Sequence, residues 1–505
     1  MPFLKALNNL IFMRISMDIL EKIIQKRRED LNVLGAGFGF DIPKERRREI
    51  TPFLKEKGVI LEIKRKSPTK GNIAPNLNAF ETAQVYAENN ARAISVLTER
   101  HFFGGSLIDL MDTARAVDAL NLKQKPAILR KDFLFNAEDI EIAYRAGADA
   151  VLIIARILSE NEILNLFKTA ENFGLSVLFE MRENEDLNKL RFVLNKHDFK
   201  NIVVGVNARD LKTFAMDLLY PLKIKSQIHQ DFPQLPIVFE SGILSESAAA
   251  LPALLGFHGI LLGEAAAQNP QNARIFTKTF ETTPKSKVGD FYQHFIKSNS
   301  APLIKICGLT NIEDTQNILN YNPDFLGFVL AKKSKRIITK SFLKECAEKL
   351  DFKNTKRIGV IADENEIPLA VECVKENLID AIQFHNISIP LLNNADFYHI
   401  PRFPVAIMKN ENDLNKIQDF FKKGFPRVLI DSGEGSGKAI HQNLILNAKK
   451  IMPLFLAGGM NNENISFILK EYAPDLIDLA SGLEQSPGIK DFFKIKQFFQ
   501  LLNKK

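Results

Sequence analysis

The chain has 505 residues, 46% of them apolar and 25% charged; these are globular proportions, and the length exceeds what one hydrophobic core sustains, so two or more domains are expected. No apolar run approaches the roughly 18 residues of a membrane helix, and LNNLIFM near the start is too short and polar for a signal peptide. The net charge of +7 does not point to nucleic acid, because the basic runs QKRRED (25–30) and KERRRE (44–49) mix both signs without interleaved aromatics and read as solvated helix faces.

Residues 1–16 fit no pattern and form an N-terminal extension, with Met17 an alternative start. From there apolar, β-branched runs recur with room for a helix between them. In the first half they are VILEIK (59–64), AISVLTE (93–99), AILRKDF (127–133), AVLIIAR (150–156), SVLFEMR (176–182), IVVGVNARD (202–210), PIVFESG (236–242) and GILLGEA (259–265). Runs that stay apolar on both faces and alternate with amphipathic helices describe a parallel sheet. Eight of them close a (β/α)8 barrel.

Residues 283–302 have linker-like ends around FYQHFI, which reads as a short helix docked on one barrel. The second half repeats the count: LIKICG (303–308), FLGFVL (325–330), RIGVIA (357–362), AIQFHN (381–386), PVAIMK (404–409), RVLIDS (427–432), PLFLAGG (453–459) and LIDLASG (476–482). Pro401 and Pro404 crowd the fifth run. The expected architecture is α/β, two tandem (β/α)8 TIM barrels: a first domain over 1–282, a linker over 283–302 and a second domain over 303–505. A doubly wound sheet is the rival, but two independent counts of eight favour barrels.

The run ends carry the chemistry. Alternate residues of a strand share a face, so Glu62 with Lys64, Glu180 with Arg182, and Asn207 with Arg209 point together, while Lys131 ends the third run. One such residue alone reads as a strand-end ion pair. Gathered at the mouth of one barrel, they make a charged pocket that needs internal pairing or a charged substrate.

In the second half, Cys307 stands at the tip of the first run, two residues after Lys305, and Asp431 ends the sixth. A lone strand cysteine is usually a small buried hydrophobe, but a nearby cation favours its thiolate. Cys346 and Cys373 fall in helical patterns and read as core. The three cysteines form no CxxC pair and no metal-type spacing, which suits a reducing, cytoplasmic setting. No HExxH, Walker loop or GxGxxG stands where one would be needed, so no cofactor and no metal are expected.

EIKRKSPTKG (62–71), VLTERHFFGGS (96–106), LRKDF (129–133), LFEMR (178–182), GVNARDL (205–211), ESGI (240–243) and LLGE (261–264) resemble indole-3-glycerol phosphate synthase, in order through residues 17–280. The resemblance implies closure of the pyrrole ring of carboxyphenylaminodeoxyribulose phosphate with loss of CO2 and water. It makes Lys131 the general acid and gives Lys64 the anthranilate carboxylate. Glu62 and Glu180 share base and electrostatic work, while Asn207, Arg209, Glu240 and Ser241 hold substrate hydroxyls and charge. Ser67, Gly242, Gly263 and Glu264 belong to turns whose backbone N–H groups cradle phosphate; the last loop reads GEA where many relatives carry serine. A lysine desolvated beside another cation has a lowered pKa, so Lys131 is expected to exchange protons near neutrality.

KICGLT (305–310), SKR (334–336), QFH (383–385), LIDS (429–432), GSGK (435–438), LAGGM (456–460) and IDLASGLEQSPGIKD (477–491) resemble phosphoribosylanthranilate isomerase. That family performs an Amadori rearrangement, and its product is the first family's substrate. The resemblance makes Cys307 the general base, Asp431 the general acid and Arg336 the anchor for the anthranilate carboxylate. Gly435, Gly437, Gly458, Gly459, Ser481 and Gly482 would bind phosphate through backbone amides, with Lys305, Asp478 and His385 also in the substrate site and His385 as readily structural as catalytic. Lys335, Asn386 and the GEGSG loop depart from the family pattern. The expected partners are phosphorylated anthranilate small molecules acting on a monomer, with no nucleic acid and no membrane. A different pair of phosphate-binding barrels wants acids at the first and fifth tips, which Cys307 disfavours; a binding scaffold without catalysis leaves Lys131, Glu180, Cys307 and Asp431 unexplained.

Overall fold

The computed structural model describes residues 19–503, apart from 211–214, 297–300, 386, 389–396 and 434–439. The N-terminal extension, Asn386, Gly435 and Gly437 lie outside the described residues. The chain divides into two compact units: 1–214 with 220–284, and 215–219 with 285–505.

The first unit is a closed barrel of eight parallel strands in chain order: β1 (Gly58–Ile63), β2 (Ala93–Leu97), β3 (Ala127–Lys131), β4 (Ala150–Ile154), β5 (Ser176–Met181), β6 (Ile202–Asn207), β7 (Ile237–Glu240) and β8 (Gly259–Leu262). β1 pairs with β2 on one side and with β8 on the other, which closes the cylinder. The second unit repeats this with β9 (Leu303–Cys307), β10 (Phe325–Val329), β11 (Lys356–Ile361), β12 (Ala381–Phe384), β13 (Arg402–Ile407), β14 (Leu429–Asp431), β15 (Phe455–Ala457) and β16 (Leu476–Leu479), closed by the β9–β16 pair. Two tandem (β/α)8 barrels are therefore what the chain forms, as its periodicity predicts.

The strands end earlier than the apolar runs suggest: the run 202–210 stops being strand at Asn207, and 259–265 stops at Leu262. The surplus residues are loop at 208–210 and, beyond Gly263, the start of the helix Glu264–Gln268. The crowded fifth run is a strand that starts two residues earlier, at Arg402, and takes Pro404 into its pairing with Phe384. Many loops end in a side chain that caps the next helix; Asn136, for example, accepts from Asp139 N at 2.9 Å, satisfying one of the free N–H groups of the helix start.

The basic runs are solvated helix faces only in part: 25–30 lie on the helix Ile19–Leu34 with Gln25, Arg28 and Glu29 exposed, but the key arginines are not. Residues 44–49 are not helical, and Arg27, 1% exposed, pairs with Asp132 at 3.2 Å and Asp139 at 2.7 Å. Arg46 and Arg48 both pair with the buried Asp149, at 2.6 and 2.7 Å. Carboxylates buried in the barrel wall require cations, and these partners lie far along the chain where charge patterning cannot reveal them.

Within the second unit, the helix Val288–Gln293 and the turn after it put Phe291 and Phe295 against the barrel. Phe295 lies 5.3, 5.7 and 5.0 Å, centroid to centroid, from Phe325, Phe403 and Phe455. These begin or nearly begin their strands, so Phe295 plugs the end opposite the reactive tips. Phe295→Ala should cost the second unit about 3 kcal/mol, read as a lower urea midpoint for proteolysis within residues 303–503, with cleavage in the first unit unchanged.

Candidate active sites

Because the strands of a barrel are parallel, their C-terminal tips share one mouth. In the first unit that mouth gathers Glu62 from β1, Lys131 from β3, Glu180 from β5, Asn207 from β6 and Glu240 from β7. The Lys131 ammonium stands 3.5 Å from Glu62 Oε2, 3.8 Å from Glu180 Oε2 and 3.6 Å from Glu240 Oε2. Lys64 Nζ reaches Glu62 Oε1 at 3.1 Å, and Asn207 Nδ2 donates to Glu180 Oε1 at 3.2 Å. Glycines make the room: a Cβ at Gly205 would collide with Glu240 Oε1, and one at Gly263 with Glu62 Oε1.

Burial works against the Lys131 ammonium, yet Glu62, Glu240 and Glu180 outweigh it and raise its pKa well above the ordinary lysine value. The expectation of a lowered lysine pKa is thus overturned: the nearest charges are three carboxylates, and the second cation, Lys64, is paired with Glu62. Burial alone would lift the Glu62 carboxyl, but Lys64 and Lys131 hold it below the usual range. Glu240 is pushed up to about 8, first by burial and then by the Glu180 charge, against the pull of Lys131.

Two adjoining hollows share Glu62, Lys64, Ser67, Lys131, Arg209 and Ser241. One, of about 860 Å³, is walled by Leu20, Ile23, Phe103, Phe133, Leu152 and Ile154; it suits a flat apolar ring. The other, of about 570 Å³, is walled by Ser241, Gly242, Gly263 and Glu264. Ser241 and Gly242 both adopt left-handed backbone, at φ +72° and +78°, a conformation that glycine accepts freely and serine does not. Glu264 is neutralised by an ion pair with Lys70.

Sequence reasoning missed the apolar wall. Its signal was present: Leu20 and Ile23 lie three apart on the helix Ile19–Leu34, on one face. It also missed the supports. Arg182 donates to the Asn207 carbonyl at 2.9 Å and stacks over Tyr220 at 4.1 Å. Glu99 accepts from the N–H groups of His101, Phe102 and Phe103 at 2.7–3.0 Å, fixing the turn that presents Phe103.

In the second unit β9 and β14 bring Cys307 and Asp431 to the same mouth. Cys307 is 9% exposed and packs on Val329, Ala331 and Val360. A Cβ at Gly327 would collide with its Sγ, so that glycine seats the thiol. Lys305, with no exposed surface, donates to Asp478 Oδ2 at 2.8 Å. Burial raises the Cys307 thiol above its ordinary pKa although Lys305 and Lys490 pull the other way; desolvation, not the neighbouring cation, sets the direction. Burial likewise pushes His385 down to about 4, helped by Lys305, so the imidazole is neutral, with its Nε2 3.0 Å from Gln383 Nε2.

Asp431 Oδ1 accepts from Gly433 N at 3.3 Å, and Gly458, at φ +89°, leaves no space for a Cβ beside that same oxygen. Arg336 is held by Glu484, which accepts from Nε at 2.9 Å and Nη2 at 2.7 Å. Gly459, also left-handed at φ +66°, and the short turn Ser481–Leu483, with Gly482, follow β15 and β16.

Glu240 makes stability pH-dependent. An acid whose folded pKa exceeds its unfolded value contributes stability that is complete at low pH and lost as pH rises through the folded value, here about 8. Glu240→Gln, neutral throughout, should therefore flatten that loss. Urea midpoints for proteolysis of the first unit, taken on either side of pH ~8, should fall with pH in the parent and much less in the variant.

Residues 20–280, just over half of the chain, match the family model of indole-3-glycerol phosphate synthase. Residues 304–501 match that of N-(5'-phosphoribosyl)anthranilate isomerase. The tryptophan biosynthesis protein TrpCF of Helicobacter pylori strain J99 is 29% identical over 96% of this chain and 99% of the relative. The multifunctional tryptophan biosynthesis protein of Phycomyces blakesleeanus is 28% identical over 90% of this chain, which spans 64% of that longer relative. The solved phosphoribosyl anthranilate isomerase of Thermotoga maritima is 28% identical and covers 40% of this chain and 100% of its own, with a TM-score of 0.37. The chain belongs to the indole-3-glycerol phosphate synthase family and continues into a domain that matches the phosphoribosylanthranilate isomerase family model.

Proposed function

We propose that the second barrel isomerises N-(5-phosphoribosyl)anthranilate to carboxyphenylaminodeoxyribulose phosphate, and that the first converts this to indole-3-glycerol phosphate, releasing CO2 and water. The observation that carries the reading is Lys131 amid Glu62, Glu180 and Glu240, between a hollow walled by apolar side chains and a more polar one walled by Ser241, Gly242, Gly263 and Glu264.

In the first barrel Lys131, held as an ammonium, protonates the substrate carbonyl as the ring closes. Lys64 takes the anthranilate carboxylate. Glu62, held ionised, shares base and electrostatic work with Glu180, and Asn207, Arg209 and Glu240 meet the sugar hydroxyls. The turns at Ser67, Ser241–Gly242 and Gly263–Glu264 receive the phosphate, the position this fold commonly uses after its seventh and eighth strands.

In the second barrel Cys307 moves the proton between the sugar carbons, and Asp431 protonates the ring oxygen so that the ribose opens. Arg336 binds the aryl carboxylate through the N–H groups that Glu484 leaves available. Gly458–Gly459 and Ser481–Gly482 take the phosphate, with Gly435 and Gly437 assigned there by resemblance alone. Lys305 and Asp478 support the thiol, and neutral His385 faces the substrate. Each centre draws its residues from one barrel, so a monomer suffices; free cysteines suit a cytoplasmic enzyme.

Lys131→Ala should lower ring closure by at least ~100-fold and leave isomerisation intact, and Cys307→Ala should do the converse. Each reaction is followed separately by anthranilate and indole fluorescence, against a background free of tryptophan. Loss of both activities in a folded single variant contradicts two independent centres.

A further inference from the structure

Beneath the second barrel's mouth runs a chain of charges whose buried inner member, Lys490, the roles above leave unused. Lys490, on the last strand of the hairpin formed by Glu484–Ser486 and Ile489–Lys490, is 1% exposed. Its ammonium donates to the Cys307 carbonyl at 2.6 Å, to the Ala480 carbonyl at 3.4 Å and to Glu484 Oε1 at 3.1 Å. Glu484, 6% exposed, passes the contact on to Arg336 through two oxygens. A Cβ at Gly308 would crowd the Arg336 side chain, so base, glycine and arginine are fitted to one another.

Burying a lysine is costly unless its partners repay desolvation, and a hairpin can be pinned without a charge. The placement of this one is specific: it grips the backbone of the base itself. We propose that Lys490 is a positioning residue of the isomerase centre, fixing Cys307 through its carbonyl, lending the thiolate a positive field, and through Glu484 holding Arg336 ready for the aryl carboxylate. The inference rests on reading Cys307 as the base.

The balance of charge supports it. Lys490, Glu484 and Arg336 sum to one positive charge, which an arriving carboxylate neutralises. The largest charged influences on Cys307 come from Lys305 on its own strand, Asp478 on β16 and Lys490 on the hairpin, and Arg336 after β10 lies within electrostatic reach of it. Val329, Ala331 and Val360 form an apolar cluster with it, and Ala480 packs against that cluster. Removing Lys490 therefore removes one of few fields that oppose burial, and the thiol should ionise at higher pH.

The test uses the full chain with Lys490→Met, Lys490→Gln and Lys490→Arg. The first two should lower isomerase kcat by at least about tenfold, with a smaller rise in KM from the loosened Arg336. Both should shift the acid limb of kcat/KM to higher pH, together with the pH midpoint of Cys307 alkylation by iodoacetamide, mapped by mass spectrometry. Lys490→Arg should restore both midpoints, and ring closure should be unaffected throughout. Gln keeps a donor for the Cys307 carbonyl, so it reports on charge even where Met prevents folding. An unmoved alkylation midpoint in Lys490→Gln, or failure of Arg to restore it, overturns the proposal. The underlying reading fails separately, if Cys307→Ala still isomerises.

Discussion

Closure of a parallel hydrogen-bonded sheet is the constraint on which the rest depends. Because neighbouring strands pair in parallel and β8 pairs with β1, and β16 with β9, the eight C-terminal tips of each barrel fall on one rim. Residues as distant in the chain as Glu62 and Glu240 thus meet at a single lysine. No local signal has to bring them together; the topology does so, and the same rule places Cys307 with Asp431.

That convergence sets buried charges side by side, and each mouth manages the cost differently. In the first barrel the lysine–carboxylate distances of 3.5–3.8 Å are those of ion pairs rather than close hydrogen bonds. Glu62 Oε2 and both Glu240 oxygens have no hydrogen-bond partner among the described residues. Such a centre is held together by attraction between opposite charges and leaves carboxylate acceptors free of hydrogen bonds within the described residues. The second barrel is tighter: Lys305 is committed to Asp478, and Lys490 to Glu484 and a backbone carbonyl. On the reading proposed above, the reactive atom there is the Cys307 thiol, and the surrounding charges serve its position and ionisation.

Strand number, order and the identity of the tip residues were legible because apolar runs ending in charged residues are a local pattern. Proton affinities were not. Lys131 was expected to be depressed by a neighbouring cation, but only the folded mouth reveals three carboxylates nearer to its ammonium. Arg27, Arg46 and Arg48 looked like solvated surface, because Asp132, Asp139 and Asp149, which bury them, lie about a hundred residues away. Leu20 and Ile23, which wall the apolar hollow, were hidden in a helix outside the barrel count. Lys490 and Glu484 lay within a motif already noted, yet nothing in their spacing shows that one of them grips Cys307.

The central claim is that one chain holds two complete and separate centres. Calorimetric titration with a reduced, non-cyclising analogue of carboxyphenylaminodeoxyribulose phosphate tests it most directly, because that molecule is product for one barrel and substrate for the other. The account predicts two sites per chain, one lost in Lys64→Ala and the other in Arg336→Ala. A single site per chain, or one abolished by both substitutions, would contradict it.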